Sequence, residues 1–351
     1  MTRDEAAPLA YLGGRLATDL RDLTSDPAAL DSSGFWVVVM TYEGELACAR
    51  FGTVRTATHP RGRWRGPASA AWTSSLDAGA YMRGVTSIRE RIAAGEVYQV
   101  NLCRVLRAEM PDAAAADVVG LGALLATGNP APYAATVRLP SAGIHVASAS
   151  PELFLRRHGS MVESKPIKGT APTVEQLLPK DADENVMIVD LVRNDLGRVC
   201  EPGSVVVPSL CAVEPHPGLV HLVSTVRGHL APDVGWPDLL RAAFPPGSIT
   251  GAPKSSARQV IAELEPAPRG PYCGAVGWVD ADRQLGALAV GIRTFWLDVT
   301  TAVVSVHFGT GAGITWASEP AGEWAETELK AARLLAVAGR CTHPCSGVTA
   351  Q

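Results

Sequence analysis

The chain has 351 residues, a formal charge of −4 and 47% hydrophobic residues, enough for one large domain or two ordinary ones with a sizeable core. That charge balance gives no reason to expect nucleic acid or an anionic membrane as a partner. The start Met1-Thr2-Arg3-Asp4-Glu5 lacks a signal-peptide pattern, no apolar run approaches the ~20 residues of a membrane span, and the seven cysteines are odd in number and scattered, so a cytoplasmic, reducing setting is expected.

Residues 1–77 read as a short N-terminal portion packed on the core, with a strand at Gly34-Phe35-Trp36-Val37-Val38-Val39-Met40 and loops at Pro60-Arg61-Gly62 and Gly66-Pro67. Tyr81 to Ala94 has helical spacing, Gly95 stops it, and Val97 to Leu102 is strand-like. Asp112 to Thr127 is a helix candidate, followed by strands at Tyr133–Val137, Gly143–Ser148 and around Phe154. Asp181 to Leu196 reads as a helix, apolar almost all round at Val186-Met187-Ile188-Val189, which argues for burial. Helices are expected at Leu239–Phe244, Ser255–Leu264 and Glu323–Gly339, and strands at Gly274–Val279, Leu288–Phe295 and Val303–Phe308. Regular βαβ alternation is missing, so the fold class is α+β, with one catalytic domain over 78–340. Cys341-Thr342-His343-Pro344-Cys345 has no second Cys/His pair nearby and reads as part of a tail, 341–351.

Lys168 stands in Lys165-Pro166-Ile167-Lys168-Gly169-Thr170, held in a constrained turn between stiff residues and a glycine. A desolvated amine there can serve as a nucleophile. Asp181/Glu184 and Glu323/Glu326 are acidic pairs at i, i+3 spacing, each on one helix face, with Lys330 one turn beyond Glu326. Two such helices can hold Mg²⁺, although solvated faces are the commoner fate of such pairs. Gly247-Ser248-Ile249-Thr250-Gly251-Ala252-Pro253-Lys254 lacks P-loop spacing, and Gly309-Thr310-Gly311-Ala312-Gly313 lacks the dinucleotide fingerprint. Clustered backbone N–H groups still bind carboxylates, which points to a small anionic substrate rather than a nucleotide. Arg293, expected inside an apolar strand, needs an anion from either a structural salt bridge or a ligand. Glu152, after Ser150-Pro151, is a candidate general acid, and His221 is either a satisfied core histidine or part of the site.

Taken in order, Ser150–Phe154, Pro166–Thr170, Asp183–Leu196, His221–Ser224, Gly247–Lys254, Tyr272–Gly277, Ile292–Thr294 and Gly311–Ile314 resemble the chorismate-utilising enzymes. The resemblance covers roughly residues 78 to 337. It implies an anthranilate-synthase-like two-sheet core flanked by helices, with chorismate and Mg²⁺ between. Glu184 and Glu326 would ligate the metal directly, with Asp181 and Glu323 acting through water. Gly169, Thr170, Thr250 and the Gly311-Ala312-Gly313 backbone match substrate-contacting positions. Tyr272, Arg293 and Lys330 match carboxylate-gripping residues, and His221 lies beside the ring. Isochorismate and salicylate synthases carry a water-activating lysine where this chain has Gln99. Anthranilate synthases usually carry alanine where it has Lys168, and the Pro-Ile-Lys-Gly-Thr segment is similar to that of aminodeoxychorismate synthases.

The chemistry so implied is attack of Lys168 on C2 of chorismate while Glu152 protonates the departing C4 hydroxyl, then ammonia addition at C4 with loss of lysine. No Gly-x-Cys-x-Gly nucleophile segment is present, so ammonia is expected from a glutamine amidotransferase subunit or from free ammonium. The alternatives are anthranilate synthesis, the same amination in secondary metabolism instead of folate biosynthesis, and a non-catalytic chorismate-binding partner.

Overall fold

The computed structural model describes residues 7–171, 173–177, 179–216 and 219–342. The first elements are β1 (Leu9–Leu12), β2 (Arg15–Thr24), β3 (Phe35–Met40), β4 (Leu46–Thr56), β5 (Thr73–Ser74), α1 (Ala78–Ala93), β6 (Gln99–Glu109) and α2 (Val118–Gly128). Next come β7 (Tyr133–Leu139), β8 (Ile144–Ser150), β9 (Leu153–His158), β10 (Met161–Lys165), β11 (Ile167–Ala171), α3 (Pro179–Gly197), β12 (Val206–His216) and β13 (Leu219–His229). The chain continues through α4 (Trp236–Ala243), β14 (Gly251–Ala252), α5 (Lys254–Leu264), β15 (Ala275–Asp280), β16 (Leu285–Val290), β17 (Thr294–Asp298), β18 (Ser305–Ile314) and α6 (Pro320–Ala338).

Hydrogen-bonded neighbours run β12–β13–β10–β9–β16–β15–β3–β4–β2–β1–β7–β8–β17–β18–β6, every pair antiparallel. β11 also pairs with β13, and β5 and β14 lie on β6. An all-antiparallel ladder with helices on its faces is the α+β class expected from the sequence. The ladder turns at the β1–β2 hairpin, whose two-residue turn Gly13-Gly14 has φ of +55° and +78°, a backbone that side chains resist. Its two halves pack face to face as two sheets across Leu12, Val37, Phe51, Val137 and Val276. Alternation decides this along β3: Phe35, Val37 and Val39 face the opposing sheet, while Trp36 and Val38 face the core under α3 and α4. Each such burial stabilises by about 1.5–3 kcal/mol. The first 77 residues therefore supply middle strands of the ladder, with β3 bonded to β15.

Several element boundaries differ from expectation. The helix expected over Asp112–Thr127 begins only at Val118, because Asp117 caps it by accepting from the Val119 amide at 3.0 Å. Val186 of α3 is 45% exposed, so that helix is not apolar all round; its buried face carries Ile188 and Val189. The strand expected over Leu288–Phe295 is two strands. The chain folds back between them, the Ile292 amide donating to the Val290 carbonyl at 2.8 Å and Arg293 taking φ +52°. The strand expected to end at Phe308 runs on through Gly309–Gly313, the end of β18, in register with Val105–Asn101 of β6. Of the cysteine tail, His343, Pro344 and Cys345 lie outside the described residues. No helix among the described residues is long and apolar enough to cross a membrane.

Candidate active site

Lys168 sits in a β-bulge rather than a turn. Between Ile167, opposite Val223, and Thr170, opposite His221, β11 holds one residue more than β13. Gly169 makes this possible at φ +81°, where a Cβ would meet the Asp181 Cβ at 2.8 Å. The bulge re-aims Lys168 between the sheets. Its side chain is 11% exposed, and its Nζ lies 3.7 Å from Glu184 Oε2 on α3. From the opposite sheet comes Gly313: a Cβ there would stand 2.8 Å from Lys168 Nζ and against the Gln99 amide. Gln99 is fully buried, and neither its Oε1 nor its Nε2 has a hydrogen-bond partner among the described residues. An orphaned amide beside an amine marks a place where a ligand supplies the missing bonds.

Glu152, one residue before β9, is buried and accepts from Ser248 Oγ at 2.6 Å. Burial pushes its carboxyl up from an ordinary 4.5 to about 7, against the opposing pulls of the Ser248 hydroxyl, the Lys168 charge and the Ile167 amide. It is thus a proton donor near neutrality. Ser248 escaped the sequence reading, although its place in Gly247-Ser248-Ile249-Thr250 was the available signal. Thr250 is buried, and its hydroxyl donates to the Pro246 carbonyl at 3.0 Å, closing its own turn. The structure thus leaves it only as an acceptor for substrate. His221 is buried opposite Thr170, whose side chain lies outside the described part of the structure.

Arg293 is not inside a strand. It occupies the β16–β17 link, partly buried, and its guanidinium makes no hydrogen bond or ion pair among the described residues. Burial first, then the Arg333 charge, lower its pKa below the ordinary guanidinium value. Of the two readings of this arginine, the structural salt bridge finds no acid there. Tyr272 is buried, its ring lies against Gly309, and its hydroxyl faces Cys103 Sγ at 3.8 Å.

Lys330 Nζ lies 2.6 Å from Glu326 on α6 and donates to the Gly311 carbonyl at 3.1 Å. Beyond Phe308, where β17 ends, that edge of β18 carries no strand among the described residues, so Gly311, Ala312 and Gly313 border the space between the sheets. Glu323 is buried and Glu326 is partly exposed. No three His, Cys, Asp or Glu side chains converge into a closed metal cage among the described residues. Mg²⁺ typically takes one or two carboxylates and fills its other positions with water and ligand oxygens. Glu184 on α3, beside Lys168, and Glu326 on α6, which packs on β18, are hard-oxygen donors of the kind that requirement asks for.

The family model of chorismate binding enzymes matches residues 38–336. The chain is 41% identical over 288 residues to anthranilate synthase component 1 of Streptomyces coelicolor, covering 77% of this chain and 53% of that one. It is 39% identical over 279 residues to aminodeoxychorismate synthase component 1 of Klebsiella aerogenes, covering 76% and 59%. These alignments span just over half the length of those curated relatives. Among solved structures, a putative 2,3-dihydroxybenzoate-specific isochorismate synthase from Bacillus anthracis superposes with a TM-score of 0.80 at 25% identity, over 96% of this chain and 97% of that one. Anthranilate synthase component I from Streptococcus pneumoniae gives 0.75 at 22% identity, over 94% and 90%, a likeness of fold.

Proposed function

The chain belongs to the chorismate-binding enzymes, and on that premise we propose that it aminates chorismate to 4-amino-4-deoxychorismate, as aminodeoxychorismate synthase component 1. The observation that carries this reading is Lys168: an amine aimed by a bulge into the space between the sheets, against Gly313 and the unpartnered Gln99. A neutral amide at position 99 cannot take a proton from water, which disfavours hydration of the ring.

In the proposed reaction the Lys168 amine forms a bond to C2 of chorismate. Both ring double bonds shift, C1=C2 to C1=C6 and C5=C6 to C4=C5, the C4–O bond breaks, and the Glu152 proton leaves with that oxygen as water. Ammonia then bonds to C4, both double bonds shift back, and the C2–N bond to Lys168 breaks, returning the amine. Arg293 offers its unpaired guanidinium to a substrate carboxylate, with Tyr272 and Lys330 bordering the same space. His221 and Gly169 flank the nucleophile. Mg²⁺, held by Glu184 and Glu326 with Asp181 and Glu323 behind them, would balance the substrate's negative charge. The nitrogen would come from a glutaminase subunit, in keeping with the "component 1" in the relatives' names.

Anthranilate synthesis is the second reading, favoured by the 41% identity to the Streptomyces coelicolor protein. Incubation with chorismate, Mg²⁺ and ammonium, with and without a glutaminase subunit, separates the two. Aminodeoxychorismate supports the first reading; anthranilate with pyruvate overturns it. Mass analysis of quenched enzyme should find the carbon skeleton of chorismate on Lys168.

A further inference from the structure

Behind Glu152 lies a small, partly open cavity of ≈ 20 Å³. Its polar lining is Glu152, Ser164, Asp195 and Ser248, and the rest is apolar, chiefly from β9 and α3. A space of this size accommodates one water molecule, and four polar side chains are enough to hold it. Of the same lining, Asp195, 5% exposed, receives Lys254 Nζ at 2.6 Å; the same ammonium donates to the Ala243 carbonyl at 3.1 Å. The Lys254 side chain is 18% exposed, so the pair joins the cavity to solvent. The chemistry above does not use this pair, and buried ion pairs often stabilise no better than apolar packing would.

We propose that Asp195, Lys254 and one water in this cavity form the route by which solvent protons reach Glu152, so that both residues relay protons for the reaction. This rests on Glu152 being the acid of the reading above. In each turnover Glu152 gives its proton to the departing C4 oxygen and is left as a carboxylate. Ammonia enters neutral and the product amine leaves protonated, so the cycle takes up one proton from solvent. Lys254 passes a proton to Asp195 and regains one from solvent. Asp195 passes it to the water, and the water passes one of its own to Glu152. Only O–H and N–H bonds are exchanged.

The charged groups facing the relay favour exchange within it. Lys168 faces Glu152, Arg198 faces Asp195, and Arg198 and Arg258 face Lys254. Burial raises the Asp195 carboxyl against the pull of Lys254 and Arg198. Burial lowers the Lys254 ammonium against Asp195, with the two arginines adding to the descent. The two values approach each other, which eases transfer between them.

The test is a rapid drop in pH on the substrate-free full chain, followed by time-resolved infrared detection of the protonated carboxyl band of Glu152, assigned by its loss in Glu152→Gln. Two variants are compared with the parent. Asp195→Asn with Lys254→Met removes both charges together and so strands neither, and Val192→Leu fills the cavity without touching a charge. Protonation of Glu152 is expected to slow by roughly tenfold or more in both, with formic acid in the buffer restoring it. A parental rate in either variant overturns the relay. Because no chorismate is present, a negative product assay beside slowed protonation would reject the amination reading and leave the relay standing.

Discussion

Replacing Glu152 with glutamine should separate the two consequences of burying this carboxyl. Its value rises from an ordinary 4.5 to about 7, so the native state binds the proton more tightly than the unfolded chain. The associated stability is complete below 4.5, is lost as pH climbs through the interval to about 7, and declines no further above it. At about 1.36 kcal/mol per pH unit, that interval amounts to roughly 3 kcal/mol. Glutamine is neutral throughout and still offers an oxygen to the Ser248 hydroxyl. Urea unfolding across this range should therefore give matching stabilities at the acid end and a Glu152→Gln variant about 3 kcal/mol the more stable above about 7. A stability difference that stays flat across the series would refute the buried-acid account. The same variant should lose about a hundredfold or more in kcat, and the parent's kcat/KM should fall above about 7 as the acid form disappears.

Arg293→Gln should raise the KM for chorismate roughly tenfold to a hundredfold, the worth of a charge-assisted hydrogen bond. It should not lower Tm, since the guanidinium has no partner among the described residues to lose; steady-state kinetics beside thermal unfolding decide this. Gly313→Ala places a methyl against Gln99 Nε2 and 2.8 Å from Lys168 Nζ, both ends of side chains rather than backbone, so the protein should fold while kcat drops by roughly tenfold or more. Gly311→Ala instead meets the Leu102 carbonyl at 2.5 Å, which is backbone, and should cost about 1–3 kcal/mol in denaturant unfolding. Chelation should abolish product formation and Mg²⁺ should restore it, with Glu326→Gln raising the Mg²⁺ concentration needed for half-maximal rate.

The α+β class, most helices and the position of Lys168 were legible in the sequence because they rest on local signals: amphipathic period, caps and a motif around one amine. What could not be read was set by pairing between distant segments. The bulge at Lys168 exists only against β13, whose partner residues lie some fifty positions later. Gly309–Gly313 lies beyond the strand end expected at Phe308 and is a strand because β6 pairs with every residue of it. Arg293 looked internal to a strand because apolar residues run through Gly291, and local sequence does not show the chain folding back there. Glu152 was a candidate acid by sequence alone, but its elevated value comes from burial by segments distant in the chain, which outweighs the lowering pull of the Ser248 hydroxyl, 96 residues away.

Charged and polar groups around the reacting space differ in whether the protein itself satisfies them. Lys168 faces Glu184, Lys330 faces Glu326, and Lys254 holds Asp195. Gln99 and Arg293 face no such partner among the described residues. A buried amide without a partner costs about 1–3 kcal/mol, and an unpaired guanidinium costs more. A leucine or methionine at 99 would pack there without that penalty, so stability alone does not account for glutamine. The two orphans also constrain their ligand. The guanidinium requires an anion, and the amide requires groups that both accept and donate, so neither an apolar molecule nor a simple cation satisfies both. Chorismate, with two carboxylates and a hydroxyl, has the necessary complement.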